Sequence, residues 1–313
     1  MGYNMTNEIL FFEPEIKNLI WGTEYWTISA HEYGDVKVKE GKYRGKTLSC
    51  LFHEHPELFG KDGSRGTIPG RGKGEFPPNF PLLVKIITAH DDLSIQVHPD
   101  DDYAAFHENG SSGKTECWYI LDCETDSRLV LGHNAKDRAE LNEMVEESRF
   151  SELIREVPIR KGDFIQMDPG TIHAIKGGIR LLEIQQSSDI TYRLYDYGRL
   201  VGGVPRPLHL KQALDVIECP APPASNFITN AGERSPNQLY ELTSCNYYTV
   251  WELPVSNEFT FTQNHPFLIV CVISGEGYIG DRHIRSGDHF ILPYGYGDVK
   301  MNGEMRLVLT TSS

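Results

Sequence analysis

The sequence predicts a mainly β protein made of two similar units, and three observations carry this. Short apolar runs with period-2 alternation recur along its 313 residues, bounded by Gly, Pro, Asp and Asn. Helical periodicity is confined to brief stretches. The segments KGDFIQMDPGTIHAI (161–175) and RSGDHFILPYGYGDV (285–299) echo each other, each running Gly-Asp, an apolar strand, then Pro with a nearby Gly. Many short strands joined by such turns point to a jelly roll or sandwich, present twice.

Taken in order, residues 9–33 mix short apolar runs with Trp21 and Trp26 and read as early strands or loops. TLSCLFHEHPELFG reads as a short helix, and the Gly/Pro-rich residues 60–81 as a loop. PLLVKIITAHDDLSIQVHP gives two strands and a turn; CWYILDC and DSRLVLGH give two more. Residues 134–157 break the pattern, because Leu141, Met144, Val145, Leu153 and Ile154 fall near a 3.6 period, so a helical insertion is expected there. Strands resume with DFIQM, GIRLLEIQQ and DITYRLYDY. Proline-rich, aperiodic residues follow, and about 219–235 read as a linker. Beyond it YYTVWELPV, FTFTQ, FLIVCVISGEGYIG, HIRSGDHFILPYG and MRLVLTTSS are again strands. The expected division is 1–235, carrying the chemistry, and 236–313, a second β domain.

Composition narrows the function classes. Lys plus Arg is 30 against 44 Asp plus Glu, a net charge of −14 with no basic stripe, which argues against a nucleic-acid partner. A few focused cations in a cleft can still bind a small anion. No apolar run approaches the ~20 residues of a membrane span. MGYNMTNEILFFEP lacks the basic start of a signal peptide, and the six cysteines show no C-x-x-C pairing. A cytoplasmic protein with reduced thiols is expected.

In LSIQVHPDD, alternation sends Ser94, Gln96 and His98 to one face and Ile95 and Val97 to the other. The same rule aligns Lys114 with Glu116 in GKTECWYIL. In DPGTIHAI a Pro-Gly turn presents His173 as a strand begins. Two imidazoles, a carboxylate and an amide oxygen would suit Zn²⁺, or less specifically Fe²⁺ or Mn²⁺. The competing reading is that Gln96 and His98 merely hydrogen-bond at a strand end. In the second half the equivalent of PGTIH reads PYGYGDV, without a histidine, so that half is expected to be free of metal.

The segments QVHPDD, GKTECWYIL, PGTIHAI and LLEIQQSSDITYRLYDYGR, in that order, resemble the short bacterial form of type I mannose-6-phosphate isomerase, a zinc enzyme of the cupin superfamily. The likeness spans essentially the whole chain, including WGTEYW and HPELFG. It implies two cupin-type jelly-roll barrels, the first with the helical insertion, and one Zn²⁺ per chain on Gln96, His98, Glu116 and His173. The family's active-site arginine falls on Arg193. Ser94 and Lys114 match residues lining its substrate pocket, and Glu183 matches a pocket glutamate of the longer members. Those members follow the arginine with G-L-T-P-K where this chain has LYDYGR, leaving Arg199 as the replacement for a phosphate-binding lysine.

The implied reaction is the reversible isomerisation of mannose 6-phosphate and fructose 6-phosphate by proton transfer through an enediolate. Glu183 is the first choice of base, since a buried carboxylate of raised pKa can accept a carbon-bound proton near neutral pH. Arg193 and Lys114 are the cations available for phosphate, and Lys114 could instead assist ring opening. Two other readings stand beside this one. One is an Fe²⁺-dependent cupin oxygenase, and the other a sugar-phosphate-binding regulator without turnover.

Overall fold

The computed structural model describes residues 8–60 and 79–313; most of the stretch read as a Gly/Pro-rich loop, 61–78, lies outside the described residues. Strands dominate, as the alternation predicts. Among the described residues no helix is long and apolar enough to cross a membrane.

The chain forms two compact units. One gathers the described residues within Met1–Glu15, Trp26–Leu83 and Gly232–Ser313, the other Ile16–Tyr25 and Val84–Ala231. A single cut at 235/236 does not express this division, because Trp26–Leu83 groups with the C-terminal strands. Strand register shows why: Leu10 and Phe11 pair with Ile291 and Phe290, and Phe12 pairs with Val38. These are contacts between residues far apart in sequence. YYTVWELPV and FTFTQ, read as separate runs, form one strand, Tyr248–Gln263, paired along its whole length with Gly297–Ser312.

Two sheets carry the other unit. The five-stranded sheet runs Ile154–Pro158, Arg128–His133, His173–Ala174, Ile95–Val97, Tyr192–Tyr195. The seven-stranded sheet runs Ile228–Thr229, Phe164–Met167, Glu116–Asp122, Arg180–Gln186, Leu82–Ala89, Gly22–Ile28, Glu15–Leu19. Alternation divides each strand between two surroundings. Trp118, Ile120, Ile165 and Leu181 meet Leu129 and Leu131 in a core shared by the two sheets. Ile95, Val97, Val130, Ala174 and Leu194 instead meet Leu141, Met144 and Val145 of the helix Arg138–Glu146. The helix starts where Asp137 accepts the Glu140 N–H at 2.9 Å.

The insertion expected over 134–157 is shorter, comprising Arg138–Glu146 and Phe150–Leu153; from Ile154 the chain is an edge strand. The expected linker is also partly structured. Phe227 is buried and Ile228–Thr229 pairs with Phe164–Met167, so this stretch closes a sheet edge. Asp100 opens the helix Asp101–His107, accepting the Tyr103 N–H at 2.8 Å. The echo between the halves is a repeated turn. Asp163 accepts the Arg160 N–H at 2.9 Å and Asp288 the Arg285 N–H at 2.8 Å, each following a glycine of positive φ (Gly162, +88°; Gly287, +94°).

Candidate metal centre and active site

The polar alternates of LSIQVHP lie on the side opposite the helix-packed residues. Gln96 pairs with His173 on one neighbouring strand and with Arg193 on the other, so three side chains named from sequence are adjacent in one sheet. Glu116 comes from the other sheet, opposite Gln185 in register, with Glu183 opposite Trp118. Two tight backbone approaches hold the remaining positions. A Cβ on Gly113 would sit 2.3 Å from the Asp100 carbonyl carbon, and Lys114 N–H donates to Pro99 O at 3.0 Å, binding the GKTE strand to the loop after His98. Gly170, at φ +83°, donates to His98 O at 2.9 Å and so sets the turn that delivers His173.

His98, Glu116 and His173 are buried, and one ligating atom from each lies within 4.8 Å of the others. The protonation pattern suits a cation. His98 Nδ1 contacts Ile190 O at 2.7 Å and His173 Nδ1 contacts Thr171 O at 2.9 Å. Because a carbonyl only accepts, each Nδ1 carries the proton and each Nε2 keeps its lone pair. His98 Nε2 is buried without a hydrogen bond. Burial, then the Lys114 charge, pushes the His98 pKa down to about 3, and burial lowers that of His173, so both rings are neutral near pH 7. Although burial opposes its charge, the Lys114 ammonium holds Glu116 well below the usual carboxylate range. Gln96 Nε2 stands 3.3 Å from His173 Nε2, and half a turn of the amide would present its oxygen instead. Two neutral imidazoles, a carboxylate and an amide thus fit a divalent cation of the zinc type.

Lys114 Nζ lies 2.7 Å from Glu116 Oε2 and is itself buried. Deeper between the sheets, Glu183 contacts Lys85 Nζ at 2.8 Å and accepts the Trp118 indole N–H at 3.2 Å. Glu24 Oε2 is 4.0 Å from the same ammonium. Burial raises the Glu183 pKa against the pull of Lys85, while Glu183 and Glu24 hold Lys85 protonated despite burial. The two charges support each other, and the carboxylate is more basic than usual. Arg193 donates to Ser94 Oγ at 3.3 Å and to Pro207 O at 2.9 Å.

Over residues 2–112 the chain matches the family described as phosphomannose isomerase type I, catalytic domain, and over 239–312 the one described as mannose-6-phosphate isomerase, cupin domain. It is 41% identical to mannose-6-phosphate isomerase ManA of Bacillus subtilis, across 98% of this chain and 99% of that one. This chain belongs to the type I mannose-6-phosphate isomerase family. A second B. subtilis relative, the probable mannose-6-phosphate isomerase GmuF, is 37% identical over 96% of this chain and 98% of its own length. The crystal structure of a B. subtilis mannose 6-phosphate isomerase superposes with a TM-score of 0.81 at 34% identity, covering 97% of this chain and 99% of that one.

All eight residues named from sequence lie in one unit of this family member, and the four proposed ligands converge. Sequence reading missed Lys85, Glu24 and Trp118 around Glu183. A lysine inside LLVKIITA was the available signal, since a charge within a buried strand needs a partner. Each of the three Arg199 nitrogens donates, Nη1 to Asp92 O and Nε and Nη2 to Asp196.

The histidines give this isomerase-family chain a testable pH response. The folded pKa of His98 lies below its unfolded 6.5, so its contribution to stability is full above that pH and is lost as pH falls toward about 3. Glu116 acts in the same direction at lower pH. Chelator-treated protein should show a urea midpoint falling through this window, with a shallower slope in His98→Asn; equal slopes would contradict the assignment.

Proposed function

We propose that this chain catalyses the reversible isomerisation of mannose 6-phosphate and fructose 6-phosphate, in the cytoplasm, with one Zn²⁺ held by Gln96, His98, Glu116 and His173. The observation that carries this is the buried His98–Glu116–His173 set, whose Nδ1 protons go to main-chain carbonyls so that both Nε2 lone pairs face the site, in a chain of this family. Both halves are read as cupin-type jelly rolls, a reading supported by the matching Gly-Asp turns.

When bound, zinc supplies Lewis-acid stabilisation of the negative charge that develops on the substrate's C1 and C2 oxygens. Glu183 removes the C2 proton of the open-chain aldose and returns it at C1. Its raised pKa makes it a competent base, and Lys85 keeps it ionised between turnovers. The Trp118 indole fixes its orientation. Burial of Lys114 beside Glu116 favours a role at the sugar's oxygen end during ring opening over one at the phosphate. Arg193, oriented by Ser94 and Pro207 O, is the charge for the phosphate end.

The test is interconversion of the two sugar phosphates in heavy water, with chelator-treated protein as control. Zinc-dependent turnover that places deuterium in the product is expected. Turnover without exchange would remove the proton-transfer route. Sugar-phosphate binding without turnover would leave the regulator, and loss of both would favour the oxygenase.

A further inference from the structure

Beside the Ser94 end of the site, two guanidiniums clasp one carboxylate and a third, that of Arg193, lies within its electrostatic reach. Asp196, 5% exposed, accepts from Arg206 through Nε at 2.7 Å and Nη2, and from Arg199 through Nη2. Arg199 also donates to Asp92 O, two residues before Ser94, and Arg193 donates to the carbonyl of Pro207, next to Arg206. Three positive charges against Asp196 leave a net charge of +2, or +1 when the Asp92 carboxylate, which accepts the Gly177 N–H at 2.9 Å, is counted as well. Arg193 senses this crowding, because burial first, then Arg206, lowers its pKa.

Two of the three guanidiniums keep a whole nitrogen without a hydrogen bond. In Arg199 each of the three nitrogens already donates, to Asp92 O or to Asp196. Arg193 has Nη2 and Arg206 has Nη1 without a hydrogen bond among the described residues. Both guanidiniums are fixed by their other nitrogens, and so are preorganised for an anion. Spacing supplies a second argument. From Gln96, at the metal end, to Ser94 is two residues of extended chain, about 7 Å, comparable to the reach from C2 of an open-chain hexose to a phosphate on C6. A phosphate monoester near pH 7 carries about −1.5 to −2, which the surplus offsets in whole or in part.

We propose that Arg206 is a substrate-specificity residue that binds the phosphate dianion together with Arg193, while Arg199 and Asp196 hold it in place. The inference rests on the isomerase reading, and the experiment separates the two. Wild-type turnover on mannose 6-phosphate is measured first, and its absence would count against the reading itself. Given turnover, KM and the competitive Ki of inorganic phosphate are compared between wild type and Arg206→Ala. Both constants should rise about tenfold, with smaller rises in Arg206→Lys and zinc content unchanged. Should alanine not fold, Arg206→Gln, which keeps a donor for Asp196 but loses the charge, reads the same constants. A purely structural Arg206 would lower kcat or thermal stability and leave the phosphate Ki at its wild-type value, and that result would overturn the proposal.

Discussion

Replacing His98 and His173 together by alanine is expected to bring metal content to background after dialysis and to cut turnover more than about a hundredfold, beyond what outer-shell changes alone produce. Only Gln96 and Glu116 would remain, and Glu116 is already engaged by the Lys114 ammonium at 2.7 Å. The fold should persist, because the apolar core around Trp118, Ile120 and Leu131 remains and loses only the edge-on contact of Trp118 with His173. Elemental analysis with far-ultraviolet circular dichroism checks both halves of this expectation. Unchanged metal content in a folded double variant would sink the ligand assignment.

Lys85→Met should be the most damaging single change away from the metal ligands. It leaves Glu183 buried without its counter-charge, a loss of about 3–5 kcal/mol for a broken buried pair, unless the carboxylate takes up a proton. In that case stability is partly recovered but the base is lost, since a protonated Glu183 cannot accept from carbon. Either way turnover falls. Adding Glu183→Gln removes the stranded charge, so the double variant should regain stability in urea denaturation while staying inactive. A single variant as stable and as active as wild type would show that the contacts of Glu183 with Lys85 and Trp118 do not matter. Glu24, 4.0 Å from the same ammonium, should behave as a weaker version of the same pair.

Sequence carried the candidate metal group further than it carried its surroundings, for physical reasons. Gln96 and His98 were visible because strand alternation has a fixed period, and His173 because a Pro-Gly turn precedes it. Lys85 was hidden in an apolar run whose partner Glu183 lies on a neighbouring strand but about a hundred residues away in sequence. Arg206 was obscured because proline-rich PRPLHL shows no periodicity, and its alignment by Asp196 is a tertiary fact. The same limit explains the fold. Individual strands were legible from alternation, whereas the pairing of Leu10 with Ile291 and of Thr229 with Phe164 depends on register between distant segments. The helix Leu210–Val216 buries only Ala213, too weak a pattern to announce itself.

Glu116 belongs to one sheet, while Gln96 and His173 belong to the other, with His98 just beyond its strand. An ion held by all four would act as a cross-brace, and its affinity would include the work of keeping the sheets at one spacing. The Trp118 ring, part of the apolar core, meets His173 edge-on with centroids 5.5 Å apart and would couple that spacing to the site. Trimming a remote inter-sheet contact such as Leu129 would then loosen the ion's grip without touching a ligand, so zinc retention would serve as a gauge of how tightly the two layers are packed.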